Sequence, residues 1–287
     1  MVIYNPKDWW KLIFAFHKSD TFRMMLPGIF GVAMFTGLVV YLENDVFNAT
    51  FKNTTAIHTL VGFVLSMLLV FRTNTAYERW WEGRKAWGSF VNNSRNLAMK
   101  LSVLDLSAQE KNRFKELISN YIYAVKEHLR GRMAATELTF DSQHIDIHYQ
   151  DAYHLPNLIM RDIYKETQQL YAGNKITGEQ LLFINEELRS FTDNIGICER
   201  IKRTPIPYSY SLYLKKIIFL YVFSMPIGFA REFGYWSMPI VALIFYVFAS
   251  IELLAEEIED PFGTDANDLP TDQLYETIRA NLSEILD

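Results

Sequence analysis

The strongest constraint on the fold of this chain is a charge-free run, MMLPGIFGVAMFTGLVVYL, at positions 24–42. As an α-helix that rises 1.5 Å per residue, this run reaches across a hydrocarbon core about 30 Å thick. Half of the chain is hydrophobic, yet its mean hydropathy is zero and 21% of its residues are charged. Apolar and charged residues are therefore segregated along the sequence, which predicts an all-α, multi-pass membrane protein.

Three further runs complete a set of four predicted membrane helices. The run at 56–71 has His58 as its only ionisable residue, and no proline follows before Leu106, so this span is predicted to continue as one long helix. The runs at 217–230 and 236–254 are separated by REFGY, which is typical of a tight polar turn at a membrane surface. A soluble helical bundle is the alternative, and two charge-free runs of near-spanning length make it the less favoured one.

Basic residues predict the orientation of these spans. They follow the second span and precede the third, so the positive-inside rule places those ends in the cytoplasm. The residues concerned are Arg72, Arg79, Arg84, Lys85, Arg200, Lys202, Arg203, Lys215 and Lys216. Both termini are then predicted to be cytoplasmic, and the acidic loop at 43–55 faces outward. Arg72, Arg79, Trp80 and Trp81 are predicted to anchor the second span at the membrane interface.

The segment at 86–204 has no spanning run, and its apolar residues recur at helical spacing among charges, which predicts a cytoplasmic helical domain. The predicted organisation is an N-terminal segment with spans 1 and 2 (1–85), the cytoplasmic domain (86–204), spans 3 and 4 (205–257) and a cytoplasmic C-terminal segment (258–287). The N-terminal residues lack the pattern of a cleaved signal peptide and are expected to remain.

Composition argues against several functions. The net charge of −5 gives no electrostatic basis for binding nucleic acid, and the single cysteine, Cys198, excludes an intramolecular disulfide framework. No serine or cysteine lies in a recognisable catalytic signature, so an enzyme is not predicted. The run HIDIHYQDAYH places His144 and His148 at helical spacing, with Asp146, Asp151 and His154 nearby. These are zinc-type ligands, but ordinary surface histidines are favoured, and we predict no metal and no cofactor.

Three motifs, in order along the chain, resemble the bestrophin family in its short bacterial form. They are FRTNTAYERWWEGRKAWG at 71–88, RTPIPYSYSLYL at 203–214 and EIEDPFGTDANDLP at 257–270. The resemblance implies a homopentamer in which four membrane helices per subunit surround a central pore that continues through a helical cytoplasmic domain. Eukaryotic members are calcium-activated chloride channels, and some bacterial relatives conduct monovalent cations. The implied function is a channel for small monovalent ions in the lipid of a bacterial cytoplasmic membrane.

The resemblance aligns the apolar pore neck of the family with Phe63, Met67 and Phe71. Residues at i, i+4 and i+8 share one helix face in any case, and a symmetric ring of such helices stacks three hydrophobic collars that can gate by dewetting. The alternative is a stripe that packs against a neighbouring helix.

A second constriction of the family aligns with Glu179, where relatives carry an aliphatic residue. A ring of carboxylates favours cations, and crowding raises the pKa of its members. The alternatives are a solvated residue in the first turn of a helix, or a slip of one residue that brings Gln180 or Leu181 to the axis. Glu179 and the acidic outer loop predict a preference for cations. A chloride or bicarbonate channel and a non-conducting membrane scaffold are the other two hypotheses.

The calcium site of eukaryotic relatives aligns with the segment after DPFG, which here offers only Asp265 and Asp268. Calcium takes six to eight oxygen ligands, so conduction is predicted not to require it. The preceding helix carries Glu252, Glu256 and Glu257, which are expected to pair with cations where the helix leaves the membrane.

Overall fold

The computed structural model describes residues 20–47, 55–132, 138, 149 and 152–287, and every regular element in these ranges is helical. The α-helices are α1 (Asp20–Tyr41), α2 (Thr55–Ser102), α3 (Ala108–Leu129), α4 (Leu155–Ala172), α5 (Gly178–Arg203), α6 (Tyr208–Phe233), α7 (Ser237–Glu259) and α8 (Thr271–Leu286). A π-helical turn (Leu42–Val46) follows α1, and a 3-10 turn (Gly234–Trp236) joins α6 to α7. The predicted all-α class is confirmed over these ranges.

Within the described ranges, three segments are long and apolar enough to cross a membrane: Thr21–Val46, Thr55–Ser102 and Tyr208–Glu259. The third contains α6, α7 and the turn between them. Gly234 in this turn has a φ of 55°, a left-handed conformation that favours glycine over residues with a side chain. Helix α6 begins at Tyr208, directly after Pro207. The helix is thus longer than the predicted apolar run that starts at 217, since the more polar residues ahead of that run are helical as well.

The chain divides into two compact units, and the first consists of residues 2–79 and 205–259. In its described part, α1 packs on α6 and α7. Its core combines Leu65 and Leu69 of α2 with Leu214, Ile218 and Val222 of α6, among others. Helix α2 approaches α6 closely at Gly62, where a Cβ atom would lie 2.5 Å from the Tyr221 hydroxyl oxygen.

The π-helical turn and the 3-10 turn lie at the same end of the first unit. The Tyr235 hydroxyl donates to Asp45 Oδ2 at 2.6 Å, and Asn44 Nδ2 donates to the Ala230 carbonyl at 3.1 Å. Residues 48–54, the rest of the acidic loop, lie outside the described residues. The described start of this loop is therefore held against the turn between α6 and α7.

The second unit consists of residues 80–204 and 260–287. Helix α3 packs against α4, α5 and α8, and the core contains Trp87, Phe90, Tyr121 and Phe191. The Tyr121 hydroxyl donates to the Phe191 carbonyl at 3.1 Å, which satisfies this buried polar group. Capping boxes begin α3 and α5: Ser107 and Thr177 are the N-caps, each with an acid or amide three residues later.

An ion-pair cluster joins α8 to α3 through Asp272. Arg130 binds both oxygens of this carboxylate, at 2.9 and 2.6 Å, and Lys126 Nζ lies 2.9 Å from Oδ1. The hydrogen bonds from Arg130 are the largest influence on the pKa of Asp272, and burial opposes them, but the pKa is held well below its usual range. A depressed folded-state pKa stabilises the fold above about pH 4, and this contribution is lost as the pH falls below that value.

We therefore expect Asp272→Asn to lower the free energy of unfolding at pH 7 by about 1 kcal/mol, and by progressively less as the pH falls below about 4. Solvent screening limits the effect, because the Asp272 side chain is 63% exposed. Asp193→Asn is a matched control, since that side chain is 65% exposed and its ion pair with Arg189 is 3.6 Å long. Urea unfolding of the purified protein measures both variants. A loss at pH 3 as large as that at pH 7 would contradict the assigned ion pair.

Candidate functional site

The predicted neck residues form an uncovered stripe on α2. Phe63, Met67 and Phe71 are 64%, 46% and 58% exposed, whereas Leu65 and Leu69 on the opposite face are buried in the core of the first unit. The described part of the chain therefore leaves about half or more of each side chain without cover. Neighbouring positions on the helix are also exposed and apolar: Ile57, Leu60, Val64 and Val70. Uncovered apolar surface of this extent faces lipid, another protein copy or a pore.

Arg72 lies on the other face of the helix. The Arg72 side chain is 1% exposed, its Nη2 donates to Glu259 Oε2 at 2.7 Å, and its Nε lies 3.5 Å from Glu252 Oε2. Arg72 thus binds two carboxylates of its own subunit, and its role as an interface anchor stays a prediction. The physical reason for the burial of Arg72 is the helical period, because Arg72 continues the buried series of Leu65 and Leu69 at three- and four-residue spacing.

Glu259, at the end of α7, binds two other segments of the first unit. Its Oε2 accepts the Arg72 bond, its Oε1 accepts from the Ile206 backbone N–H at 2.5 Å, and its carbonyl accepts from Arg79 Nε at 3.1 Å. We call this arrangement the Glu259 clasp. It links α2, the residues ahead of α6 and the end of α7. Arg79 thus also binds protein, although it remains half-buried.

The expected pairing of acids on α7 is confirmed at two positions, because Glu252 faces Arg72 and Glu256 Oε2 accepts from Lys215 Nζ at 2.7 Å. Glu259 was not predicted. Its signal in the sequence is the spacing of seven residues from Glu252, which places both carboxylates on one face of α7.

Trp80 and Trp81 have different surroundings in the second unit. Trp80 packs against its core, and the indole N–H donates to the Asn267 carbonyl at 3.0 Å. The polar edge of Trp80 therefore binds the loop after α7, and its role as an interface anchor stays a prediction. Trp81 is 48% exposed, and its anchoring role stays a prediction. In the same loop, Asp268 Oδ2 accepts from the Asp265 backbone N–H at 2.7 Å, so this carboxylate shapes the loop.

Glu179 lies in the first turn of α5 and is exposed. Its own backbone N–H and the Thr177 hydroxyl lower its pKa, in that order of importance, with a smaller opposing effect of burial. This environment is that of an acid at a helix N-terminus, where negative charge is favoured. The predicted rise in pKa requires neighbouring copies of the residue, so the single subunit does not test it.

The predicted histidine cluster is only partly described. His144, Asp146, His148 and Asp151 lie outside the described residues. His154 is described, and its Nε2 lies 2.7 Å from Glu199 Oε1, as does the Nε2 of His128. Sequence reasoning missed these two partners because they lie 26 and 45 residues away from His154.

Comparison with known proteins gives a consistent match. The sequence profile of the Bacterial/Fungal Bestrophin protein family matches residues 1–284. A voltage-dependent anion channel-forming protein of Nostoc is 40% identical over 232 residues, which cover 78% of this chain and 75% of that protein. A protein of the same description from Escherichia coli is 28% identical over 292 residues, covering 100% and 94%. The crystal structure of a bacterial bestrophin homologue from Klebsiella pneumoniae is similar with a TM-score of 0.84 and 25% identity, covering 90% of this chain and 97% of that chain.

Proposed function

The chain belongs to the bacterial and fungal bestrophin family, and on that premise we propose that five copies surround a shared axis and conduct small monovalent anions passively. Each subunit contributes four membrane helices: α1, the first part of α2, α6 and α7. The membrane is a bacterial cytoplasmic membrane. Both termini lie on its cytoplasmic side, together with the basic residues of α2 that follow the second span and the lysines in the first part of α6.

The observation that carries this proposal is the uncovered stripe of Phe63, Met67 and Phe71. Burial of apolar surface is favourable by roughly 25 cal/mol per Å², so a helix face of this kind gains from a partner or from lipid. Its opposite face is fixed in the core of the first unit by Leu65, Leu69 and Arg72. The stripe can therefore face a shared axis without any loss of contacts within the subunit.

We propose anions rather than cations as the conducted ions because of how the relatives of this chain are described. The proteins from Nostoc and Escherichia coli are both described as anion channel-forming, and the former is 40% identical to this chain. The preference for cations predicted from Glu179 is not supported by these relatives. They also support a channel rather than an enzyme.

The test is the reversal potential of the purified protein in planar bilayers under a KCl gradient. A reversal near the chloride equilibrium potential supports the proposal. A reversal near the potassium potential would show a cation channel, for which the exposed Glu179 would be the first residue to examine. A silent bilayer, with protein shown to be inserted, would favour a membrane scaffold.

Glu179 has its own prediction. If five copies of this carboxylate line a narrow aperture, they repel anions, so Glu179→Gln is expected to raise the chloride-to-potassium permeability ratio about fivefold at physiological salt. Glu284→Gln on α8 removes another exposed carboxylate and serves as the control. Bilayer recordings under the same gradient measure the ratio. An identical ratio in both variants would return Glu179 to the role of a helix-capping surface residue.

A further inference from the structure

Three segments of the second unit bring metal-ligand side chains to one point. His128 comes from the last turn of α3, His154 precedes α4, and Glu199 lies on α5. Both histidine Nε2 atoms lie 2.7 Å from Glu199 Oε1, and the ligand atoms of the three residues all lie within 4.8 Å of one another. The three side chains are 24%, 15% and 21% exposed, so the cluster is half-buried and still accessible to solvent.

We propose that His128, His154 and Glu199 form a binding site for a divalent transition metal of the zinc type. Two imidazole nitrogens and one carboxylate are a ligand set that zinc uses when a fourth position is left to water. Bonds of about 2.0–2.2 Å in tetrahedral geometry separate the ligand atoms by about 3.3 Å. The two nitrogen–oxygen distances of 2.7 Å are shorter than that value, and all ligand atoms lie within 4.8 Å of one another, so small side-chain movements are sufficient. Each ligand is on a different segment, so the metal would cross-link α3, α4 and α5.

The main competitor of the metal is the proton on His154. The Nδ1 atom of His154 accepts from the Asn157 backbone N–H at 3.2 Å and thereby caps α4. In the neutral imidazole the proton is therefore on Nε2, directed at Glu199. Metal binding at Nε2 requires that this proton move to Nδ1, which breaks the cap. Loss of a helix N-cap corresponds to about a fivefold reduction in affinity. This penalty is small compared with the affinity that a third ligand adds.

Two other groups lie close to the cluster. Arg203 Nη2 is 3.6 Å from Glu199 Oε1, but its side chain is 61% exposed and is free to turn toward solvent when a cation binds. Cys198 neighbours Glu199 in sequence, but its side chain is buried in the core, which raises the pKa of its thiol to about 12. The thiol therefore stays protonated at neutral pH and is not a ligand.

The test is calorimetric titration of Zn²⁺ into the purified, chelator-treated full chain, with Co²⁺ absorption as a second readout of the coordination geometry. Two variants each remove a ligand and keep one local hydrogen bond. His154→Asn retains a side chain that caps helices well, and His128→Gln retains a donor for Glu199. We expect one metal ion per chain, bound at least about tenfold more weakly by either variant. Circular dichroism confirms that both variants are folded.

The double variant His144→Ala/His148→Ala is the matched control, because it removes the histidines that sequence spacing alone suggested. Binding should be unchanged in this control. The proposal is overturned if no stoichiometric binding occurs, if His128→Gln and His154→Asn bind as tightly as the parent chain, or if the control variant alone loses the metal. None of these readouts depends on ion conduction, so failure of the channel proposal would not be mistaken for failure of this one.

Discussion

Simultaneous replacement of Phe63, Met67 and Phe71 with alanine is expected to raise the single-channel conductance by at least about twofold. Large apolar side chains around a narrow axis exclude water and oppose the passage of ions, and alanine widens and wets the same passage. All three positions lie on one face of α2 and are uncovered in the subunit, so truncation leaves no cavity in the core. Bilayer recordings of the purified variant measure the effect.

Helix α1 offers a matched control for the neck. Phe30, Met34 and Leu38 have the same spacing of four residues and are 72%, 62% and 55% exposed. Their replacement with alanine removes a similar amount of exposed apolar surface from a helix that is not assigned to the pore. The conductance of this second triple variant should match that of the parent protein. Equal conductance in both triple variants would contradict the assignment of the neck to α2.

Arg72→Met is expected to destabilise the first unit by about 3–5 kcal/mol. Methionine fits the volume and the apolar surroundings, but it leaves the carboxylates of Glu252 and Glu259 buried without their cation. The loss of one partner of a buried ion pair is costly for this reason, even where the intact pair contributes little. Thermal or denaturant unfolding of the purified protein in detergent measures the change.

The comparison for this variant is Arg189→Met, which removes a cation of the same type from an exposed pair with Asp193. Exposed pairs of this kind contribute about 0.3–0.5 kcal/mol, so this variant should unfold almost as the parent does. If Arg72→Met and Arg189→Met had similar stabilities, the Glu259 clasp would not be a stabilising contact, and Arg72 would have to be solvated in the assembled protein.

The features predicted from sequence are those with a local physical cause. The absence of proline between positions 56 and 106 predicts the uninterrupted helix α2, and the spacing of Phe63, Met67 and Phe71 predicts one shared face. Both are present in the structure. The glycine of the predicted REFGY turn is in the turn between α6 and α7, but the turn is Gly234–Trp236, and the preceding residues 231–233 are the last of α6.

The features that sequence did not predict depend on contacts between distant residues. Arg72 looks like a cytoplasmic flanking charge because its partner Glu259 is 187 residues away. His154 was grouped with its neighbours in sequence, whereas its described partners His128 and Glu199 come from other helices. Glu179 is a third case, because its role depends on other copies of the chain and not on its own helix.

The most direct test of the account is an electron cryomicroscopy image of the purified protein in lipid nanodiscs. The account predicts five copies around one axis, with α2 innermost and Phe63, Met67 and Phe71 directed at the axis. Particles of one or two subunits, or a ring in which this face of α2 contacts lipid, would contradict it.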